Sequence, residues 1–467
     1  MKIKHLISAS VVAALALTGF TASAGNVDAN AASMAAKKFI NQHATEQGKL
    51  MGPGSVSLRL AHTEPSAVEG NAYYVFNIQG GGWVIIAGDD RAKQVLAYGE
   101  EGSIDLNSMP VNMKGYMDRY KAQIETIQKF KGKTEPMKAP KRRTPVAPLL
   151  KSVNWSQHVP FYNQCYFNGS YCSVGCAGLG MAQILNYWEY PKESEGLGAY
   201  SPAWNLSVPA LPATTFDYDK ILDCYLVWND EGNLAWAPGV TDENKDEVAK
   251  LCRYASQSCL MNFSPNGSGS NVTKQYEGFL KMGYTTEAKL LGIEAWPTRN
   301  TWNTWDYTDD QWVDSMYKQL ELHRPLPYSS EGFTDGHTFV VDGFDADGLF
   351  HCSWGWNGRG DGYFQHGAFN VTVAGEYMEF NESLFMVIDL YPYEGYVSPN
   401  DPDVGQTYEL GDVNKDGIIN VSDVTRLISV VLSGADIDLL VADMDGSGSL
   451  TVADVTMLIS YVLSRAE

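Results

Sequence analysis

The 467-residue chain is 44% hydrophobic and 12% aromatic, and its formal charge at pH 7 is −21. Such a composition supplies two or three globular cores and excludes wholesale disorder. No basic stripe offsets the acidity, so nucleic acid and anionic membrane surfaces are excluded as partners.

In chain order, Lys2 and Lys4 precede an apolar run from Leu6 to Phe20 that ends at Ala22-Ser-Ala24, the pattern of a secretory signal peptide over residues 1–24. The run is shorter than the ~20 residues of a spanning helix, so no membrane span is expected and the mature protein is expected to be soluble and extracellular. Residues 25–143 carry the runs Tyr73–Ile78 and Trp83–Ala87 on either side of Gly80-Gly81-Gly82, which predicts a folded unit bearing a hairpin. Its end, Lys133 to Pro148, is rich in lysine, arginine and proline around Lys141-Arg142-Arg143, the composition of an extended, protease-accessible connection.

The next segment, Ser173-Val-Gly-Cys176-Ala-Gly-Leu-Gly-Met181-Ala-Gln183-Ile184-Leu185-Asn-Tyr-Trp188, places Met181, Ile184, Leu185 and Trp188 at the spacing of one buried helical face, with Pro191 closing it. Cys176 stands at or just before the first turn. A helix N-terminus favours the thiolate, the nucleophilic form of cysteine.

Further on, Gly336-His337-Thr-Phe339-Val-Val-Asp342-Gly343 and Leu349 to Trp354 flank a turn signal at Asp345-Ala346-Asp347-Gly348, which predicts a hairpin. A turn centred on Ala346 and Asp347 sets Phe339 opposite Trp354 and His337 opposite Trp356, all on one face. Asp342 and Ser353 fall on the other face, so neither is expected to complete a triad with His337. The tryptophans are better placed to orient the imidazole, by stacking or through an indole N–H.

The runs Gly175–Tyr187, Gly336–Gly343 and Ser353-Trp354-Gly355-Trp356-Asn357-Gly358 together resemble the streptopain family of papain-like cysteine peptidases, with order, spacing and neighbours all in agreement. The resemblance runs from about Gly25 to Pro392. It implies a secreted zymogen that cleaves proteins, with residues 25–143 as a propeptide covering the cleft; a permanent N-terminal domain on a tether is the alternative. By position it implies Cys176 as nucleophile, His337 as general base, Gln157 as the side-chain donor to the oxyanion, and Trp354 beside the histidine. Where the family usually has asparagine before that tryptophan, this chain has Ser353. Ser268, Gly269, Ser329, Ser330 and Gly332 resemble stretches that line the family's substrate cleft.

Seven cysteines, all between Cys165 and Cys352, suit an oxidising compartment, and their odd number leaves at least one unpaired. The catalytic assignment makes that one Cys176. Cys165 with Cys172, and Cys252 with Cys259, are close enough in sequence to pair, although spacing does not settle connectivity.

After Ser398-Pro-Asn-Asp-Pro402, read as a loose connection, come two acidic loops. Asp412-Val-Asn414-Lys-Asp416-Gly417-Ile418-Ile-Asn420-Val-Ser-Asp423 offers side-chain oxygens at positions 1, 3, 5, 9 and 12, with glycine at 6 and the Ile418 carbonyl at 7. Asp443, Asp445, Ser447, Ser449, Thr451 and Asp454 repeat it 31 residues later, and each loop runs into an apolar helical pattern. Hard oxygen donors without histidine or cysteine select Ca2+, which predicts two calcium sites. Aspartate at position 12, a single helix after each loop and two copies resemble a dockerin domain, which implies attachment to a cohesin-type partner. Calcium acting only as a structural staple is the alternative for so small a module.

The expected architecture is therefore α+β. It comprises a signal peptide (1–24), an α+β propeptide (25–143), a papain-like catalytic domain (144–392), a linker (393–410) and a small all-α calcium-binding dockerin (411–467). The expected activity is that of a secreted cysteine endopeptidase needing no cofactor for catalysis. A catalytically dead binding protein and a transglutaminase-like acyltransferase are the alternatives.

Overall fold

The computed structural model describes residues 25–46, 56–129, 143–202, 206–228, 233–293, 309–331, 336–367, 383–404, 408–415, 417–433, 437 and 439–465. The signal peptide, Lys133 to Arg142, Gly332 and Asp416 lie outside them. No helix among the described residues is long and apolar enough to cross a membrane.

A single antiparallel sheet of ten strands organises the N-terminal and central regions. Four strands come from the N-terminal region: β1 (Leu58–Pro65), β2 (Asn71–Ile78), β3 (Trp83–Ala87) and β4 (Val95–Gly99). Six come later: β5 (Lys289–Ile293), β6 (Leu326–Glu331), β7 (Gly336–Phe344), β8 (Phe350–Ser353), β9 (Gly362–Phe364) and β10 (Ser383–Ile388). Their spatial order is β1-β2-β3-β4-β9-β8-β7-β6-β10-β5. The two regions are joined at β4 and β9, where Tyr98 pairs with Tyr363 and Ala97 with Phe364.

The predicted N-terminal hairpin is β2–β3, with Phe76 opposite Val84. Its strands are apolar on both sides because both faces are covered. Tyr74 and Phe76 pack with Ala32 and Ala36 of α1 (Ala29–Glu46), while Tyr73 and Val75 join the main core with Met113, Tyr116 and Tyr120 of α2 (Val111–Lys129). Continuous apolar runs of this kind mark doubly covered strands, whereas a half-exposed strand alternates.

On one side of the sheet α3 (Cys176–Trp188), α4 (Asp242–Ser258) and α5 (Val272–Lys281) pack on one another, with α3 laid against β7. Met181, Ile184, Leu185 and Trp188 are all buried, as their spacing predicts. A further helix, α6 (Asp309–Glu321), packs on β6, β7 and β10.

Cys165, Cys172, Cys252 and Cys259 are free thiols, so neither candidate disulfide forms. Cys252 and Cys259 are separated by about 10 Å of helical rise along and just past α4, beyond disulfide reach. Cys165 and Cys172 are joined instead by a backbone bond, the Cys172 N–H donating to the Cys165 carbonyl at 2.8 Å.

The connection expected to be loose is tied to the C-terminal end of α3. Ser398 is fully buried and its hydroxyl donates to the Tyr187 carbonyl, the Asn400 amide donates to the same carbonyl at 3.2 Å, and the Tyr396 hydroxyl donates to Trp188 O at 2.9 Å. The last carbonyls of a helix have no intrahelical partner, and these side chains supply one. Asp401 pairs with His323 at 3.0 Å and Asp403 with Lys415 of the first acidic loop at 3.0 Å.

The C-terminal module holds α7 (Val421–Ser433), the short α8 (Leu439–Ala442) and α9 (Val452–Arg465). Leu427 and Leu458, both fully buried, centre its small core.

Candidate active site

Cys176 is the first residue of α3, and among the described residues no side chain caps that end of the helix. The preceding Gly175 has φ +82°, and a Cβ there would meet Met261 Sδ at 2.6 Å and the Ser268 carbonyl at 3.0 Å. Only glycine satisfies both the left-handed backbone and the close approach. The thiol is half-buried.

The strand carrying His337 lies against this thiol: the Thr338 N–H donates to Cys176 Sγ at 3.5 Å. His337 pairs with Ser330 across β6–β7, and Thr338 with Ser329. Gln157, half-buried, reaches the same region through its backbone, since Val174 N–H donates to the Gln157 carbonyl at 3.0 Å. The neighbouring Ser156 bridges to Trp356. Three segments remote in sequence, around Gln157, Cys176 and His337, thus converge at one helix N-terminus.

The hairpin register near the site agrees with the parity argument, through two deviations that cancel. The turn is one residue longer than expected, with Asp345 bonded to Leu349, and a bulge between Val341 and Gly343 absorbs the extra residue. Val340 then pairs with Ser353, and the rings of Phe339 and Trp354 lie 4.5 Å apart. Asp342 points away from the histidine: it is fully buried, contacts His351 Nδ1 at 2.6 Å and accepts the Leu150 N–H at 2.9 Å. Burial opposes charge on His351, but the Asp342 carboxylate outweighs it and raises the imidazole pKa above the ordinary histidine value.

Beyond Ser353 the ladder stops, so the expected pairing of His337 with Trp356 is corrected: the chain turns at Gly355, φ +75°, and Trp356 meets Ser156 instead. The indole N–H of Trp354 donates to the Gly360 carbonyl at 2.9 Å and its backbone N–H to Asp361 at 2.9 Å. Trp354 is thereby clamped beside the histidine strand with its polar hydrogen directed into its own loop.

Asp361 was not singled out by sequence, because a Gly-Asp-Gly stretch carries no distinguishing pattern. Burial pushes its carboxyl up to about 7, against the pull of the Trp354 N–H and the nearby His351. Ser353 accepts a hydrogen bond from Gln183 at 3.3 Å.

The expected substrate-contact residues divide. Ser329 is 3% exposed and shares its hydroxyl with Thr338 at 2.8 Å, whereas Ser330, opposite His337, is half-buried. Ser268 turns its hydroxyl onto Ser264 and donates its N–H to Ser173 at 2.9 Å, holding the chain just before Gly175. Gly269 is exposed with open space around it.

The N-terminal region touches the loops beside this site. Asn112 donates to the Trp354 carbonyl at 2.8 Å, Tyr116 sets its ring edge on Phe339 and Trp354, and the Tyr120 hydroxyl donates to the Gln365 carbonyl at 2.6 Å. His366, buried beneath α2, has no hydrogen-bond partner at either ring nitrogen among the described residues. Burial, with Arg119 and Lys93 nearby, holds it well below the ordinary histidine pKa.

In the C-terminal module the two acidic loops fold alike. Asp423 accepts the N–H groups of Asn414 and Asn420, as Asp454 accepts those of Asp445 and Thr451. Gly417 donates to Asp412 as Gly448 donates to Asp443. Carboxylate oxygens of Asp443, Asp445 and Asp454 gather within 4.8 Å of one another. Like charges at that range repel, so this all-oxygen donor set fits a hard divalent cation.

Residues 155–364 match the Peptidase C10 family, residues 24–124 the Spi protease inhibitor family, and residues 410–463 the dockerin type I domain. The chain is a cysteine peptidase, and its residues 155–364 are similar to the Peptidase C10 family. Streptopain of Streptococcus pyogenes is 27% identical over 331 residues, 66% of this chain and 77% of that protein. The thiol protease/hemagglutinin PrtT of Porphyromonas gingivalis is 26% identical over 382 residues, 75% of this chain and 40% of that protein. A fragment of prointerpain A from Prevotella intermedia, a cysteine-to-alanine mutant, superposes with a TM-score of 0.55 at 25% identity, covering 71% of this chain and 98% of that one. The fold is papain-like α+β, and the N-terminal region is the propeptide of a zymogen. The peptidase also carries a dockerin, a domain type that binds calcium.

Proposed function

We propose that the chain is a secreted cysteine endopeptidase working through Cys176 and His337, released from its propeptide and anchored through its dockerin. The observation that carries this reading is the 3.5 Å contact from the Thr338 N–H to Cys176 Sγ, which brings the residue after His337 to a thiol at a helix N-terminus. The positive end of the helix favours thiolate there.

In the reaction, the Cys176 thiol passes its proton to His337 and the thiolate sulfur attacks the peptide carbonyl. The resulting oxyanion is met by the Gln157 side-chain amide and the Cys176 backbone N–H, donors aimed where charge develops. His337 gives a proton to the leaving amine, which departs with the C-terminal part of the substrate. Water, deprotonated by His337, then attacks the thioester, and the carboxylate product leaves with Cys176 regenerated. Trp354 holds the face beside His337, while Ser330 and Gly269 are the substrate-side contacts.

For the dockerin, Asp412, Asn414, Asp416, the Ile418 carbonyl, Asn420 and Asp423 would hold one Ca2+, and Asp443, Asp445, Ser447, the Ser449 carbonyl, Thr451 and Asp454 a second. The ion supplies charge neutralisation that orders the loops. Val421 and Val452, 68% and 69% exposed after each loop's ninth position, and Leu432 and Leu440, more than 80% exposed, are apolar surface available to a cohesin-type partner.

The test is hydrolysis of unfolded casein by the purified protein in reducing buffer, with and without a thiol-alkylating inhibitor, followed by mass spectrometry of the labelled cysteine. Inhibitor-sensitive cleavage with the label on Cys176 is expected. A folded, processed protein with neither cleavage nor selective labelling would overturn the catalytic reading in favour of a binding protein.

A further inference from the structure

Arg143, the last residue of the basic Lys141-Arg142-Arg143 run, is held by one face of α6. Its guanidinium donates to Asp314 at 2.7 Å and to Glu321 at 3.4 Å and lies 3.9 Å over the ring of Tyr317. Residues 314, 317 and 321 follow the i, i+3, i+7 spacing of a single helical face, so the three contacts form one receptor for a planar cation. Tyr317 is itself fixed: its ring stacks on Phe350 at 4.6 Å and its hydroxyl donates to the Gly348 carbonyl at 2.8 Å.

The residues after Arg143 are equally committed. Val146 exchanges two backbone bonds of 2.9 Å with Phe344, Leu149 N–H donates to the Asp342 carbonyl at 2.8 Å, and Leu150 N–H to the Asp342 carboxylate at 2.9 Å. A Cβ on Gly343 would meet the Val146 carbonyl at 2.7 Å, so glycine is what lets this strap lie on β7. The strap continues the pairing of β7 past the point where β6 stops, in the strand that carries His337.

A protease that cuts after a basic residue takes that side chain into its own pocket and the flanking backbone into its cleft. At Arg143 both are already engaged. We propose that Arg143 stays with the mature peptidase as the anchor of its N-terminal strap, and that the activating cleavage falls on the N-terminal side of Arg143, which makes the Arg143–Thr144 bond the protected end of the basic run. This rests on the zymogen reading. Hydrolysis there adds water across one peptide bond, leaving a carboxylate on the propeptide and an amine on a chain that includes Arg143.

Two measurements test it. The N-terminus of the self-processed protein, read by intact mass and terminal sequencing, is expected at or before Arg143; a start at Thr144 or later would overturn the proposal. The second is independent of the enzyme's own activity. In full-length Cys176→Ala protein also carrying Lys141→Gln and Arg142→Gln, trypsin should cut Arg143–Thr144 slowly. Adding Asp314→Asn and Glu321→Gln should speed that cut at least tenfold, followed by mass spectrometry of the Thr144 terminus. Equal rates with and without the α6 acids would refute the anchor, even if the chain never processed itself.

Discussion

The side-chain amide of Asn112 donates to the carbonyl of Trp354 at 2.8 Å, so a propeptide residue holds the loop next to the histidine strand. The same helix contacts Gln365 and His366 through Tyr116 and Tyr120. Docking and folding share one surface here, because β4 and β9 make the propeptide an extension of the catalytic sheet. Replacing Asn112 by alanine leaves a buried carbonyl unpaired. The expected loss is about 1–2 kcal/mol of propeptide docking, roughly 5- to 30-fold in equilibrium. Zymogen activation should shorten its lag accordingly; an unchanged lag would remove Asn112 from the clamp.

His366 makes docking sensitive to acid. Its pKa is depressed while α2 covers it, by burial first and then by Arg119 and Lys93, and returns toward about 6.5 once exposed. Protons therefore prefer the released state. The contribution is fully present above the ordinary histidine pKa and is lost as pH falls below it, by up to about tenfold per pH unit for one proton. Hydrogen exchange of α2 in Cys176→Ala proenzyme, corrected for intrinsic chemistry, should rise below pH 6.5. His366→Phe should flatten that rise, and a rise that survives the substitution would assign it elsewhere.

Gln157 offers a sharper test of the oxyanion role than of stability, since it is half-buried and only its carbonyl is used by a backbone bond. Gln157→Ala should lower kcat by about 100- to 1,000-fold with KM little changed. Gln157→Glu, which retains size but loses the donor, should do the same. Near-normal turnover in both would leave the oxyanion to other donors.

Calcium titration separates two sites from one. Asp423 and Asp454 are fully buried and accept matching pairs of backbone N–H groups, so the two loops should bind two Ca2+ per chain. Chelation should reduce the far-UV helical signal of α7 and α9 while leaving casein hydrolysis intact. Asp454→Asn should reduce the stoichiometry measured by titration calorimetry to one at micromolar Ca2+; a stoichiometry of two in that variant would place the second ion elsewhere.

Local pattern determined much of this protein. The periodicity around Met181 to Trp188 specified α3, the Gly-Gly-Gly turn specified β2–β3, and parity along the hairpin kept Asp342 away from His337. Each follows from spacing within one element, which the chain carries in linear order. The repeat from Asp412 to Asp454 specified two like loops for the same reason.

Tertiary structure decided what depends on contacts between distant segments. Pairing of Tyr98 with Tyr363 fused propeptide and catalytic strands into one sheet, and no local pattern encodes which edge strands meet. Ser329 faces Thr338 because the register of β6 on β7 set its side, which a serine-rich loop composition cannot reveal. Arg143 lies on α6, and Ser398 and Asn400 on the end of α3, because unpaired charges and helix-end carbonyls find partners wherever folding delivers them. Residue type and spacing are local properties, while burial, register and the choice of polar partner exist only once the chain has closed on itself.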